Sequence, residues 1–392
     1  MKPKGQFLVQ EKKKQVDSAF YQIASGNANF AFRLYHLIAS QNTRQNIFFS
    51  PLSISFALAM LSTGAGGDTQ TQILEGLGFN LTKLSLPEIH EGFRLVQHRL
   101  SHPSTSTEPS IKVGNVLILS QDLQLLSDFV SATKASYDSK VLLSNFRDTE
   151  ATTRLINNYV KEKTHGKIRD LVSGLSPNER MVLVNYIFFQ GELSSSFHGF
   201  VADFYVDENT VVKVPMMLQD DQQHWYLDDR YVPCTVLRMD YKNDAVAFFI
   251  LPQKGKMKEV EQMLSPDMLT RWNRLYFYRK VSLQFPKFSI SNSYALDEIL
   301  PYLGFQDLFT HHADFSHINQ DEKLQLSKVF HKAVLEVNEV GTEAAASTAI
   351  SVMFFSKPKK RVLVFNQPFF AVIYSTSTQN ILFMGKVFNP TA

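Results

Sequence analysis

Residues 339–356, Glu-Val-Gly-Thr-Glu-Ala-Ala-Ala-Ser-Thr-Ala-Ile-Ser-Val-Met-Phe-Phe-Ser, constrain the fold most, because they read as a strand with no obvious place in a finished sheet. One alternate set is Thr342, Ala344, Ala346, Thr348, Ile350 and Val352, all small or β-branched; the other is Glu343, Ala345, Ser347, Ala349, Ser351 and Met353, which is wetter. That two-residue period belongs to a half-buried strand. An alanine-rich helix over residues 339–349 is the competing reading, favoured locally by Glu and Ala, but the Ile, Ser and Val that follow continue no apolar stripe. As a permanent edge the segment would invite aggregation, since between Gly341 and Lys357 it holds no proline, glycine or lysine. Lys357-Pro358-Lys359-Lys360-Arg361 then ends the pattern in a charged run that belongs in solvent. The segment therefore has to be exposed in one state and buriable in another.

The chain has 392 residues, enough for one large domain or two ordinary ones with a substantial core. Phe is unusually common at 32 residues, yet no apolar run approaches the roughly 20 residues of a membrane-spanning helix. A formal charge of +3 argues against a nucleic-acid binder, leaving local basic clusters at residues 2–14, 271–280 and 357–361. Cys234 is the single cysteine, so no intramolecular disulfide can form and the core must hold the fold. Met1-Lys2-Pro3-Lys4-Gly5-Gln6 lacks the apolar segment of a signal peptide, and Asn80-Leu81-Thr82 is a glycosylation triplet that matters only in a secreted chain.

Residues 1–25 are charged and weakly patterned, which predicts a flexible N-terminal tail ahead of a single domain over residues 26–392. Asn27 is read as a helix cap before Phe30, Leu34, Leu37 and Ile38, and Ser50-Pro51 as a stronger start of a second helix running to Gly64. Asp68 opens a short helix stopping near Gly76 and Gly78, and Leu155, Ile156, Tyr159 and Val160 make a helical stripe ending at Gly166. Strand-length apolar runs lie at residues 113–119, 181–189, 234–239, 245–251, 281–285, 362–365, 369–375 and 381–387. The economical reading is one α+β domain with several sheets.

Catalytic signatures are missing: there is no Gly-rich phosphate loop, HExxH, nucleophile elbow or CxxC. His311, His312, Asp314 and His317 form the only cluster of ligand-like residue types, and its turn-rich surroundings read as a surface loop. Neither a catalytic residue, a metal nor a cofactor is expected, and the chain is read as not an enzyme.

Seven ordered blocks carry a resemblance to a known family. They are Asn46-Ile47-Phe48-Phe49-Ser50-Pro51-Leu52-Ser53-Ile54, Thr164-His165-Gly166-Lys167-Ile168, Val184-Asn185-Tyr186-Ile187, His331-Lys332-Ala333, the hinge at 339–348, Phe365-Asn366-Gln367-Pro368-Phe369 and Phe383-Met384-Gly385-Lys386-Val387. Over residues 27–390 the chain resembles the serpins, in their plasma, α1-antitrypsin-like branch. The resemblance implies three sheets, about nine helices and an exposed reactive-centre loop at about residues 340–362. It implies a secreted, monomeric suicide substrate whose cleaved loop inserts as a new central strand of the large sheet and traps a serine protease covalently.

By the same resemblance the hinge is Glu339, Gly341, Thr342, Ala344, Ala346 and Thr348. The family's spacing from Gly341 puts the reactive bond between Phe355 and Ser356, with Met353, Phe354 and Lys357 as specificity neighbours and cleavage after Phe354, Met353 or Lys357 as open alternatives. An aromatic there suits a chymotrypsin-like target. Residues 76–82, 224–227 and 354–356 point to a branch member that inhibits tissue kallikrein. Ser50, Ser53, Asn185 and His331 are the implied shutter beneath the parting sheet, and Arg271, Arg274, Arg279 and Lys280 an implied heparin face. Residues 190–202 depart from the pattern: Leu193 stands where serpins usually carry a tryptophan at the top of the sheet, and the segment is a few residues short. A carrier that keeps the fold without using the loop is the alternative that this departure keeps open.

Overall fold

The computed structural model describes residues 4–102, 111–190, 198–241, 245–274, 278–337 and 361–392. Among them are eight α-helices: α1 (Lys4–Gln41), α2 (Pro51–Ser62), α3 (Gly67–Gly76), α4 (Leu86–Ser101), α5 (Ser127–Tyr137), α6 (Thr149–Lys163), α7 (Met257–Met263) and α8 (Pro266–Trp272). The strands of the first half are β1 (Ile47–Phe49), β2 (Ile111–Ser120), β3 (Lys140–Ser144), β4 (Met181–Gln190), β5 (His198–Tyr205), β6 (Val211–Asp228), β7 (Cys234–Asp240) and β8 (Ala245–Pro252). The second half adds β9 (Tyr278–Pro286), β10 (Phe288–Ala295), β11 (Lys328–Val337), β12 (Arg361–Val364), β13 (Phe369–Ser375) and β14 (Ile381–Val387).

Two of the sequence expectations are corrected at the N-terminus. The first helix begins at Lys4 rather than after Ser25, and Ala19, Phe20 and Ile23 are already buried on it. Asn27 does not cap it: the residue is buried mid-helix, where its amide donates to the Ile381 carbonyl at 3.0 Å. Charge along residues 1–25 masked a helix whose apolar residues are widely spaced. Ser50 does cap α2, accepting the Ser53 N–H at 3.2 Å ahead of Pro51 at the first helical position. Every residue of α2 is buried, and the helix packs against β4 and β14.

The sheets divide into a five-stranded one, ordered β10-β11-β4-β2-β3, and a nine-stranded one, ordered β1-β14-β13-β8-β7-β6-β9-β12 with β5 paired to β6. The third expected sheet is the far part of the larger one. Strand β6 is shared, pairing β5 and β9 along most of its length and β7 at its end, with a register shift between Gln219 and Gln222. Five phenylalanines lock the turn from β9 to β10 against the C-terminal strands, Phe285 lying 4.6–6.2 Å from Phe249, Phe365, Phe369 and Phe288 between ring centres. Such tilted and edge contacts account for much of the chain's Phe content.

Alternation along β4 separates two cores. Met181, Leu183, Ile187 and Phe189 face the main core, whereas Val182, Val184, Tyr186 and Phe188 form a second one under α6 and the loop that follows it, with Ile156, Val160, Ile168, Leu171 and Val172. On that outer face Gly114 of β2 stands opposite Tyr186, whose ring crosses it so closely that a Cβ would fall 2.0 Å from the ring. Gly114→Val is therefore expected to lower stability by about 1–3 kcal/mol, from overpacking. Urea unfolding of the two proteins reads it directly, and an unchanged midpoint would contradict this packing.

Candidate functional site

In the five-stranded sheet, β4 and β11 pair in parallel over the whole run from Lys328↔Val182 to Glu336↔Gln190, while β10 and β2 flank them antiparallel. A parallel ladder has slanted bonds and is slightly weaker per residue than an antiparallel one, and β2 and β3 at the sheet's edge pair in the same way. The chain leaves β11 at Val337, directly beside the central seam between β4 and β11, and enters the alternating segment.

Beneath the seam a polar row crosses an otherwise apolar face. Asn115, Asn185, His331 and Tyr294 occupy mutually opposed positions on β2, β4, β11 and β10. All face inward, and the start of α2 meets them from below. The Ser50 N–H donates to His331 Nε2 at 3.1 Å, so that nitrogen carries no proton and the Nδ1–H donates to Asn185 Oδ1 at 2.5 Å. The Ser53 hydroxyl donates to the same oxygen at 2.7 Å, and the Asn185 amide donates to the Ser53 carbonyl (3.0 Å) and to Asn115 Oδ1 (2.6 Å). Tyr294 stacks on the imidazole with ring centres 6.4 Å apart and accepts the Phe48 N–H at 3.2 Å. The structure thus gathers all four residues singled out as a shutter, each fully buried, around the middle of the seam. Asn115 is the member that sequence reasoning missed. Its signal was a lone amide at an inward position of the apolar run 113–119.

Above this row the seam is held from the outer face. Lys167, in the loop after α6, donates to both Glu336 carboxylate oxygens at 3.0 and 2.9 Å, and Lys332 donates to the Arg169 carbonyl at 3.0 Å. The loop that covers the second core is therefore fastened to β11.

The hinge residues Glu339, Gly341, Thr342, Ala344, Ala346 and Thr348 lie outside the described residues, as do Met353, Phe354, Phe355, Ser356 and Lys357, and Leu193. Of the basic residues, Arg271 in the last turn of α8 pairs with the almost fully buried Asp229 carboxylate and lies 5.2 Å from the Tyr231 ring centre. Its charge is thus largely neutralised locally; Trp272 Nε1 and the Tyr231 N–H donate to the same carboxylate at 2.8 Å each. Arg274 follows α8 in an exposed turn, and Arg279 and Lys280 open β9 at exposed positions pointing to opposite sides of the strand. Asn80 is exposed just beyond α3, its side-chain oxygen accepting the Thr82 N–H (3.0 Å) and hydroxyl (2.6 Å). In the histidine-rich loop, Asp314 accepts the Ser316 N–H within the loop, and His317 bonds the Ala65 carbonyl at 3.0 Å, tying the loop to the turn between α2 and α3.

A family profile described as Serpin (serine protease inhibitor) matches residues 25–390. Kallistatin of Homo sapiens is 56% identical over 378 residues, covering 94% of this chain and 88% of its own. Corticosteroid-binding globulin of Homo sapiens is 47% identical over 371 residues, with 94% and 90% covered. The structure of human glycosylated kallistatin superposes with a TM-score of 0.88 at 54% identity, covering 95% of this chain and 99% of that one. Cleaved kallistatin complexed with heparin gives 0.78 at 55% identity over 82% and 95% of the two chains.

Burial pushes His331 down to about 3, and His90, whose Nδ1 lies 2.5 Å from the Tyr137 hydroxyl, down to about 4. In the unfolded chain both return to about 6.5, so between these values the unfolded state binds more protons. Stability is therefore expected to be complete above about pH 6.5 and to fall on acidification toward pH 4, each histidine contributing at most about 1.4 kcal/mol per pH unit. Urea midpoints from pH 7 to 4 measure the slope. His331→Gln should flatten it, and an unaltered slope in that variant would remove His331 from the account.

Proposed function

The chain belongs to the serpin family, and from that premise we propose that it inhibits serine proteases as a suicide substrate. The observation that carries this reading is the closed parallel seam between β4 and β11, from whose end the chain runs into a segment patterned as an additional strand. A strand returning from Val337 between β4 and β11 runs antiparallel to both, replacing one parallel ladder by two antiparallel ones. Thr342, Ala344 and Ala346 enter first and are small enough for the sheet to part and reclose without a clash. Ile350 and Val352 follow, each contributing about 1.5–3 kcal/mol on burial. The Asn185–His331 row stands under the path and keeps the two strands in register until the incoming backbone separates them.

In this reading the protease cleaves between Phe355 and Ser356, and insertion outruns hydrolysis of the acyl-enzyme. The covalent chemistry belongs to the protease; this chain supplies the bait and the receiving sheet. The primary aromatic, flanked by Met353, Phe354 and Lys357, fits a chymotrypsin-like or tissue kallikrein-like target, and the likeness to kallistatin supports the latter. A secreted, monomeric protein with a glycan at Asn80 completes the proposal.

A hormone carrier is the second reading, favoured by the 47% identity to corticosteroid-binding globulin and by a TM-score of 0.88 to human thyroxine-binding globulin complexed with its hormone. The small, regular hinge at residues 341–348 tells against it, since a carrier has no use for an insertable segment. One experiment separates the two. Incubation with chymotrypsin or tissue kallikrein should give an SDS-stable complex and a released peptide beginning at Ser356, and loop-cleaved protein should melt far higher. Thr342→Arg and Ala344→Arg should yield cleaved protein without complex, because an unpaired charge buried in the sheet costs roughly 2–7 kcal/mol. No complex and no melting shift in the parent protein would favour the carrier.

Heparin is proposed to bind along Arg274, Arg279 and Lys280, with Arg271 contributing less because Asp229 neutralises it. Support comes from the kallistatin structure complexed with heparin. Elution from a heparin column should shift to lower salt by a larger amount for Arg274→Ala than for Arg271→Ala, and the reverse order would displace the site.

A further inference from the structure

The base of the seam carries a second fastening that the shutter does not explain. Arg180 immediately precedes β4, and its guanidinium donates to both Asp122 oxygens (3.0 and 2.8 Å) and to the Ser120 hydroxyl (3.3 Å), anchoring it on the β2–β4 side. Its other arm reaches across the seam to Glu322, in the segment that leads into β11, at 2.5 Å. The backbone is stitched at the same level. The Arg180 N–H donates to the Ser327 hydroxyl (3.3 Å), the Ser327 N–H to the Met181 carbonyl (2.8 Å), and the Ser120 N–H to the Arg180 carbonyl (3.0 Å). Loop 121–126 is in turn tied to residues 318–319, through the Leu126 N–H to the Ile318 carbonyl (3.0 Å) and the Asn319 amide to the Gln124 carbonyl (2.8 Å). The surrounding loops are thus locked to each other, and the Arg180–Glu322 contact is the side-chain bond that spans the opening itself.

The insertion reading puts this bond at the end of the path, taking Thr342 to enter at the top of β4. With Thr342 level with Gln190 at the top of β4, an antiparallel strand descends one residue per step and brings Val352 level with Arg180. The last inserted residues before Phe355 therefore arrive where Arg180 bridges the seam, and the trapped protease would be drawn to the same pole.

We propose, resting on the insertion reading, that Arg180 is a positioning residue for inhibition: its bridge to Glu322 holds the base of the seam closed and sets how fast insertion completes. The partly exposed bridge gives a modest barrier, large enough to matter where insertion races hydrolysis.

The test is the rate at which a synthetic peptide of residues 342–352 anneals into the native protein, read by the rise in melting temperature, together with the stoichiometry of inhibition of chymotrypsin. Arg180→Ala should anneal about two- to fivefold faster, as expected for losing a surface ion-pair bridge. Glu322→Gln should do the same, the double variant should add little, and Arg180→Lys should recover part of the parent rate. Val260→Ala, buried on α7 away from the seam, controls for general loss of stability. Parent protein that neither anneals the peptide nor traps protease overturns the insertion reading itself. If the parent does both, equal rates in Arg180→Ala and parent, or equal acceleration by Val260→Ala, overturn the role of Arg180 alone.

Discussion

The rest of the structure depends on a parallel ladder closed over buried polar groups. Strands β4 and β11 lie side by side although the chain between Val337 and Arg361 carries a segment patterned to separate them. Parallel pairing is the weaker arrangement, and here it is shored up from both faces. From below, α2 presents Ser50 and Ser53 to Asn185 and His331. From above, Lys167 fastens the α6 loop to Glu336. Each of these contacts is worth little more than about 1 kcal/mol net. Together they hold the two strands side by side along the seam.

Neutrality of His331 follows from the same geometry. Protonating Nε2 would set a second donor against the Ser50 N–H inside a dry interface, so burial drives the imidazole far below its ordinary range. The row is uncharged and fully paired, which lets it sit under a seam without the cost of a buried ion. Charge lies off the buried row, on the outer face of β11 at Lys332 and in pairs such as Lys167–Glu336 and Arg180–Glu322, where water screens it and the bonds can exchange.

Much of this was legible beforehand. The Ser50-Pro51 helix start and the central strands were read from the residues, the shutter set of Ser50, Ser53, Asn185 and His331 was implied by the family resemblance, and the structure brings that set into one network. What escaped did so for identifiable reasons. Residues 1–25 are too charged to look ordered, yet Phe20 and Ile23 on α1 reach the core. Asn27 has the residue type of a cap, but its amide answers a carbonyl on β14, more than 350 residues away in sequence. Arg271 looked like a free cation until Asp229 was found beneath it. Periodicity reports which way a side chain faces, not which distant group it meets.

By itself, then, the sequence determined the kinds of element, the inward and outward faces of the strands, and a two-residue alternation over residues 342–353, because these depend on local period and residue size. Only the tertiary structure decided that Asn115 completes the buried row, that the central seam between β4 and β11 is parallel, and that Arg180 bridges its base. Those facts depend on register between strands far apart in the chain, and register is set when the faces are packed together, not by any one stretch of residues.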